Sequence, residues 1–533
     1  MLESQASLKK NTNLPENFRQ EVTSGPFNII AELSRDQPVN IQTQASVGRG
    51  ETAATKPLSL RGAVKYRIVA YQADGTYIDQ AIGDASQTSQ VFFGDKLVKG
   101  QTYHFVIYSL GNTVNPPLVP PVNLNSAPSY DFTFSGSYLT STADLMWAVE
   151  RNVKILGTPG DATQPTPLTT PLKHIFTRVN ISVDNSDAMG IQKGGYVSEN
   201  SVNATIKSPQ LYATSTFNFN TGAITSGSVY SSGITANNIN AANQSYIVNT
   251  AGAANSTVNI SVPAGAIKVG NDVNPTPISF SFSNAGSGLK PGYSYTLKLR
   301  FNSDRYVNAS NITRNSGDSD ALYAVIGGYR WDRYNLGVTN LNPSSNNPDI
   351  VANLPNLNGN FYQWGKLGGY SSTNPVAGVN YPGWNNSLNT VSNSWNIGTE
   401  SAPQKNTAND PCSGGSRVPT STEYSKLIFN TVTSNIGIWL PDTGTSYSDP
   451  LANSTGSAKV LTSKKSTIKL TFPASGNRSS SSGHLNQRSN RGEYWAATDN
   501  GGGYGGKIYL NVDRFSSSSY INSEGESIRC IQE

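Results

Sequence analysis

The fold class this sequence predicts is mostly β, divided among several domains. Length is the first reason: 533 residues exceed what one hydrophobic core supports, so about two to four domains are expected. Composition is the second. Turn formers (49 Gly, 29 Pro) alternate with short apolar runs and many aromatics (26 Tyr, 17 Phe, 7 Trp), the mixture that many short strands joined by turns require. The third is periodicity: up to residue 302 no segment sustains a 3.6-residue repeat, so helices are minor.

The elements follow in chain order. Residues 1–25 are polar and expected to be flexible, and strands begin with FNIIA at 27–31. A Gly/Thr/Ala-rich loop is expected at 43–56. The run AVKYRIVAY (63–71) is a strong strand that ends at Asp74-Gly75, a hairpin turn signal, with Tyr77-Ile78 starting the return. In 101–109, Tyr103, Phe105 and Ile107 alternate with weaker positions, which predicts one core face and one surface face. LMWAV (145–149) closes this block, and the Pro-rich stretch 158–171 reads as a linker. The second block opens with one long strand pattern at 172–183. It continues through strand anchors at 202–206, 246–248 and 278–280, and ends at 289–301, where Pro291-Gly292 turns into a cleanly alternating strand. Beyond about 302 the texture changes: Trp331, Trp364, Trp384, Trp395, Trp439 and Trp495 and both cysteines lie here. One short helix is predicted from Thr420 or Ser421 to Asn430, with a hydroxyl cap, Glu423 in its first turn and Pro419 before it.

Charge and chemistry narrow the function. Only 14% of residues are charged, with a formal net of +5 and no basic block, which argues against nucleic acid as a partner. No apolar run reaches 18 residues, so no membrane-spanning helix is expected. Met1 is followed by a polar run rather than an apolar signal core; the expectation is an exported chain whose signal has been removed, with any lipid-carrying cysteine lost alongside it. His104, His174 and His484 fall in three separate blocks, so no zinc cluster is expected. There is no nucleophile elbow and no Cys beside a His, and the reading is of a protein that is not an enzyme. Paired carboxylates for glycoside hydrolysis are a spatial matter that sequence alone leaves open. Cys412 and Cys530 read either as a disulfide stapling a terminus to a domain interior or as two separate buried thiols.

The candidate binding surface lies in RGEYWAATDN (491–500) and the Gly-rich GGGYGG (501–506). Glu493, Tyr494, Asp499, Asn500, Tyr504 and Asp513 are its candidate residues, because sugars are held by aromatic stacking together with carboxylate and amide hydrogen bonds. Trp495 reads instead as core. No cofactor is called for; Ca²⁺ is the one ion such a surface could add.

From about residue 350 the chain resembles the Fibrobacter-type major paralogous domain family, similar in fold to C-type lectin-like and formylglycine-generating-enzyme-like domains. The motifs, in order, are FYQWG (361–365), WNIGTE (395–400), NDPCSGGSRVPTSTEY (409–424), LTFPASGNR (470–478), GEYWAAT (492–498) and SIRC (527–530). The resemblance implies a Cys412–Cys530 disulfide. It departs at 413–416, where the family has Pro and an aromatic, and it lacks the Glu-Pro-Asn and Trp-Asn-Asp triplets of Ca²⁺-dependent lectins. The reactive cysteines of formylglycine-generating enzymes have no counterpart once the pair is a staple.

Residues 26–302 resemble the Bacteroidales fimbrillin family of type V pilus subunits, through VKYRIVAY (64–71) with Asp74-Gly75, GQTYHFVIYS (100–109), LKHIFTRV (172–179) and LKPGYSY (289–295). The resemblance implies two tandem β-sandwich-like (transthyretin-like) pilin domains, 26–165 and 166–302, followed by an α+β C-type lectin-like domain, 303–533. It also implies assembly with other pilus subunits by strand exchange, with arginine-specific processing near Arg19 or Arg35. The expected role is a tip or accessory fimbrial subunit, adhesin-like and located at the cell surface or fimbrium and associated with the outer membrane. A glycan or a host or bacterial surface protein is its expected ligand. A stand-alone lipid-anchored surface lectin is the alternative, and a secreted glycan-acting hydrolase the third reading.

Overall fold

In a computed structural model the chain is described over residues 2–3, 17–36, 58–59, 63–86, 91–133, 144–158, 163–184, 198–208, 211–250, 257–282, 289–372, 380–388, 392–441 and 456–533. The predicted 43–56 loop and most of the 1–25 segment lie outside these residues. The described chain is mostly β, in several discrete sheets with few helices. It forms two compact units: residues 1–184, 200–267 and 274–300 in one, and 185–199, 268–273 and 301–533 in the other.

The first unit contains a five-stranded antiparallel sheet in the order Tyr77–Asp84, Lys65–Gln72, Thr102–Ser109, Met146–Lys154, Lys173–His174. The Asp74-Gly75 turn forms as predicted, with Gly75 at φ 89° and the Thr76 amide donating to Asp74 Oδ1 at 2.9 Å. The expected single core face of the 102–109 strand does not hold, because both faces of this sheet are covered. Val69, Tyr71, Val106 and Tyr108 pack on one side with Phe132, Phe176, Phe217 and Phe219. Ile68, Ala70, Phe105 and Ile107 pack on the other with Phe93 and Leu172. The proline-rich stretch also docks: the Thr169 and Thr170 amides donate to Glu150 Oε2 at 2.8 and 2.9 Å, and Leu168 packs on the second cluster.

A second five-stranded sheet has the order Gln244–Val248, Thr177–Val183, Ser294–Asn302, Phe27–Arg35, Asn17–Ser24. Its Thr177–Val183 and Ser294–Asn302 strands run parallel. Each long strand buries alternate residues, as in Phe27, Ile29, Ala31 and Leu33 and Tyr295, Leu297, Leu299 and Phe301, the pattern of a sheet with one covered face. Strand structure thus precedes Phe27: Leu2–Glu3 pairs with Leu58–Ser59, and an eight-residue antiparallel register ties Asn17–Ser24 to the next strand. The 172–183 run is two strands rather than one. Lys173–His174 pairs with Met146 and Trp147, Ile175 and Phe176 turn into the first sheet's core, and Thr177–Val183 continues in the other sheet. The Pro291-Gly292 turn precedes its strand as expected, with Gly292 at φ 78°.

The second unit is built on a six-stranded and an eight-stranded sheet, with a three-stranded sheet of Thr431–Gly437, Ser457–Ser463 and Lys469–Pro473. The predicted helix spans Ser421–Phe429 with Thr420 as N-cap and a reciprocal capping box to Glu423. Among the described residues no helix is long and apolar enough to cross a membrane.

Candidate functional site

The candidate residues lie on two strands of the eight-stranded sheet and in the turns that follow each of them. Arg491–Asp499 pairs with Tyr504–Asn511, which pairs in turn with Phe515–Ile521. Glu493 and Tyr494 are neighbours on one strand and so face opposite sides, yet both sides are covered. Tyr494 is fully buried; its hydroxyl donates to the Pro473 carbonyl at 2.7 Å and accepts from Asn335 Nδ2 at 3.1 Å. Its ring meets Phe472 edge-on at 5.0 Å. Trp495 is core as expected, its indole N–H donating to the Tyr362 carbonyl at 2.7 Å. The expectation that Glu493 and Tyr494 line a contact surface is therefore corrected: Glu493 lies in a buried ion cluster and Tyr494 in the hydrophobic core.

That cluster is the main polar feature sequence reasoning missed. Glu493, Glu524 and Glu526 converge on Lys507, all at most 7% exposed by side chain. Lys507 Nζ donates to Glu493, to Glu526 at 3.1 Å and to Glu524 at 3.4 Å, and Arg491 Nε lies 2.8 Å from Glu493. Burial pushes the Glu526 carboxyl well above its ordinary range, helped by the Glu493 charge, and burial also raises Glu524. Burial acts the same way on Glu493, but Lys507, the Glu526 hydrogen bond and Arg491 together outweigh it and hold Glu493 below the usual value. The ammonium fills the centre that a metal ion would need, since all three carboxylates already direct an oxygen at it. The only sequence signal was the spacing of Glu524 and Glu526, two residues apart at the start of the Gly525–Ser527 strand.

The other candidates are at the surface, in two places. Asp499 Oδ1 accepts the Gly501 amide at 2.8 Å, and the Asn500 amide donates to the Tyr504 carbonyl at 3.0 Å. Gly501, Gly502 and Gly503 all have positive φ (76°, 62° and 83°), a turn that side chains with Cβ disfavour. Tyr504 is 45% exposed. Asp513 lies in the turn at the other end of Tyr504–Asn511, roughly 23 Å of strand away at about 3.3 Å per residue. Asp499, Asn500 and Tyr504 thus form one local surface that Asp513 does not join.

Cys412 and Cys530 are disulfide-bonded, with S–S 2.11 Å and Cα–Cα 6.0 Å. They pack with Trp364, Trp395 and Trp495. The histidines serve three local structures: His104 bridges the Ala73 carbonyl and the Asn152 amide, His174 pairs with Asp144, and His484 lies in a turn.

No family model matches this chain, and no curated protein matches it. Among solved structures it is similar to a cell adhesion protein from Bacteroides ovatus, at 14% identity and TM-score 0.30, over 46% of this chain and 86% of that one. It is also similar to a fimbrial assembly protein from Parabacteroides distasonis, at 12% identity and TM-score 0.25, over 44% and 82%. A third is the C-terminally truncated tip fimbrial protein Mfa3 from Porphyromonas gingivalis, at 8% identity and TM-score 0.27, over 45% and 93%.

Proposed function

We propose that this chain is a non-catalytic, adhesin-like subunit of a surface fibre, at its tip or as an accessory. On this reading the first unit joins the fibre by strand exchange and the second displays a binding surface. The observation that carries the proposal is the Asn17–Arg35 hairpin. It lies at the end of its sheet beside Ser294–Asn302, and its inner strand inserts Phe27, Ile29, Ala31 and Leu33 into the core. Removing a strand of this kind would leave a groove lined by main-chain donors and acceptors and by pockets for alternate side chains, which is what a lent strand fills. Arg35 ends the inner strand, so a cut there would free the hairpin as a piece. The Ile531–Gln532 strand is not available for lending, being paired to Trp331 and to Ser416–Arg417 next to the disulfide.

The test is cleavage by an arginine-specific protease followed by addition of a synthetic 27–35 peptide. The cut chain is expected to bind the peptide or to polymerise without it, and Arg35→Ala to do neither. A cut chain that stays monomeric and ignores the peptide would sink strand exchange. For display, the Asp499–Tyr504 surface is assigned the ligand contact, a glycan or a surface protein. A glycan array with and without chelator, run beside Asp499→Ala, tests the sugar reading, and binding unchanged in that variant would remove this surface from it.

A further inference from the structure

The Phe515–Ile521 strand, sequence FSSSSYI, closes one edge of the eight-stranded sheet and, among the described residues, pairs only with Tyr504–Asn511. Residues Ser516 to Tyr520 are all exposed, and among the described residues no strand pairs with the outer edge. Edge strands are ordinarily protected by charges, prolines or bulges. Asn17–Ser24 carries Arg19 and Glu21, and Tyr77–Asp84 carries Asp79 and Asp84, paired with Lys96 and Lys65. Phe515–Ile521 has no charge and no proline, and its register is unbroken.

The phase of its outward groups follows from the two ends of the hairpin. The Asn511 amide donates to Arg514 O at 3.1 Å and the Asn522 amide to Gly503 O at 2.9 Å. Antiparallel pairs alternate between bonded and non-bonded, so residues 516, 518 and 520 bond inward. Phe515, Ser517, Ser519 and Ile521 then turn their N–H and C=O groups outward. A two-fold axis through Ser518 sets Ser517 opposite Ser519 of the second copy and Phe515 opposite its Ile521, outward groups facing outward groups throughout. Small side chains meet at the axis; at the ends stand Ile521 and Phe515, whose ring packs on Phe472 of its own core.

The geometry points to a second copy of this chain as the occupant of this edge, joined antiparallel through Phe515–Ile521 in an isologous pair. One strand pair buries less than the roughly 1,000 Å² of a stable complex, so half-association on the order of 100 µM is expected. Molecules displayed side by side on a surface reach effective concentrations of about that size or above. This contact is separate from the first unit's strand exchange, and its test does not depend on it.

Sedimentation equilibrium of the full chain, uncut, from about 5 µM to about 1 mM should show a monomer–dimer equilibrium. The S517K/S519K variant sets like charges opposite each other and should stay monomeric, as should S517E/S519E. An equimolar mixture of the two should recover association at least tenfold tighter than either alone. That recovery also shows that both variants are folded. A wild type that is monomeric throughout, or association unchanged in S517K/S519K, overturns the proposal.

Discussion

The two units keep their interiors in different ways. In the first, the central five-stranded sheet is packed on both faces by aliphatic and aromatic side chains. In the second, ions are threaded through the core: Arg333, Arg478 and Arg529 are among its most completely buried side chains, alongside four tryptophans. Arg529 alone donates to Asn335 Oδ1 at 2.6 and 3.2 Å, to the Asp332 and Arg333 carbonyls at 3.2 and 3.0 Å, and to the Thr471 carbonyl at 2.9 Å. Apolar packing tolerates small losses of volume, whereas a saturated buried ion fixes one geometry and penalises loss of any partner. Removing single groups from each unit tests that contrast.

The largest effect is expected at Lys507. Lys507→Met keeps the length of the side chain but leaves Glu493, Glu524 and Glu526 without their shared cation. Breaking a buried ion cluster in this way costs about 3–5 kcal/mol. Six of the seven tryptophans lie between residues 331 and 495, so denaturant unfolding followed by tryptophan emission reads the second unit directly. A loss under about 1 kcal/mol would mean that the cluster is not what holds this sheet. Next comes the disulfide. It closes a separation of 118 residues, and a bridge of this kind typically contributes about 2–4 kcal/mol. The double variant Cys412→Ala/Cys530→Ala should lower the midpoint of the same transition and leave the first unit's transition unmoved.

The contrast also explains what could be read from sequence. Period-two alternation located most strands of the first unit, and Thr420 with Glu423 announced the helix start, where the capping box forms. Alternation says that Phe27–Arg35 is a strand; it does not say that its neighbour is Ser294–Asn302, more than 250 residues on. It also fails where both faces are buried, as in Thr102–Ser109. In the second unit Lys507, Glu493 and Glu526 come from three strands, and nothing periodic links them. Adjacent Glu493 and Tyr494 looked like a contact surface because the sequence does not show that the strand is covered on both sides. The disulfide was one of two readings of Cys412 and Cys530 by themselves, and the family resemblance chose between them.

A pH-dependent effect comes third. Asp304 is buried; its Oδ1 accepts the Gly327 amide at 2.8 Å and its Oδ2 lies 2.5 Å from Ser463 Oγ. Burial, which outweighs these hydrogen bonds, pushes its carboxyl up to about 7 from 3.8. The native state therefore holds the proton more tightly than the unfolded chain does. The associated stability is complete below about pH 4 and is lost as pH rises toward and past 7, by up to about 4 kcal/mol. Asp304→Asn removes this titration while keeping a neutral acceptor for Gly327. The difference between wild type and variant, measured by urea unfolding at pH 4, 5.5 and 8, should shift in the variant's favour as pH rises. A difference that is flat across that range would place Asp304 as an ordinary ionised carboxylate.

The smallest effect belongs to the first unit. Ile107 is fully buried among Ile68, Ala70, Phe105 and Met146, and Ile107→Val deletes one methylene from an apolar site. Such a change leaves no donor or acceptor unpaired, so the cost is the lost transfer energy plus a small cavity, about 1 kcal/mol. Far-UV circular dichroism at a strand wavelength follows both units, and the part of its loss that tryptophan emission does not track belongs to this one; the emission transition should show no shift. Ile107→Val serves as the reference for Lys507→Met: one removes a buried carbon, the other a buried charge. If the two variants lose equal stability, or the carbon deletion loses more, the second unit's ions are ornaments on an apolar core like the first unit's. A ratio near three or more, about what the two estimates give, means that the two units are held together by different forces.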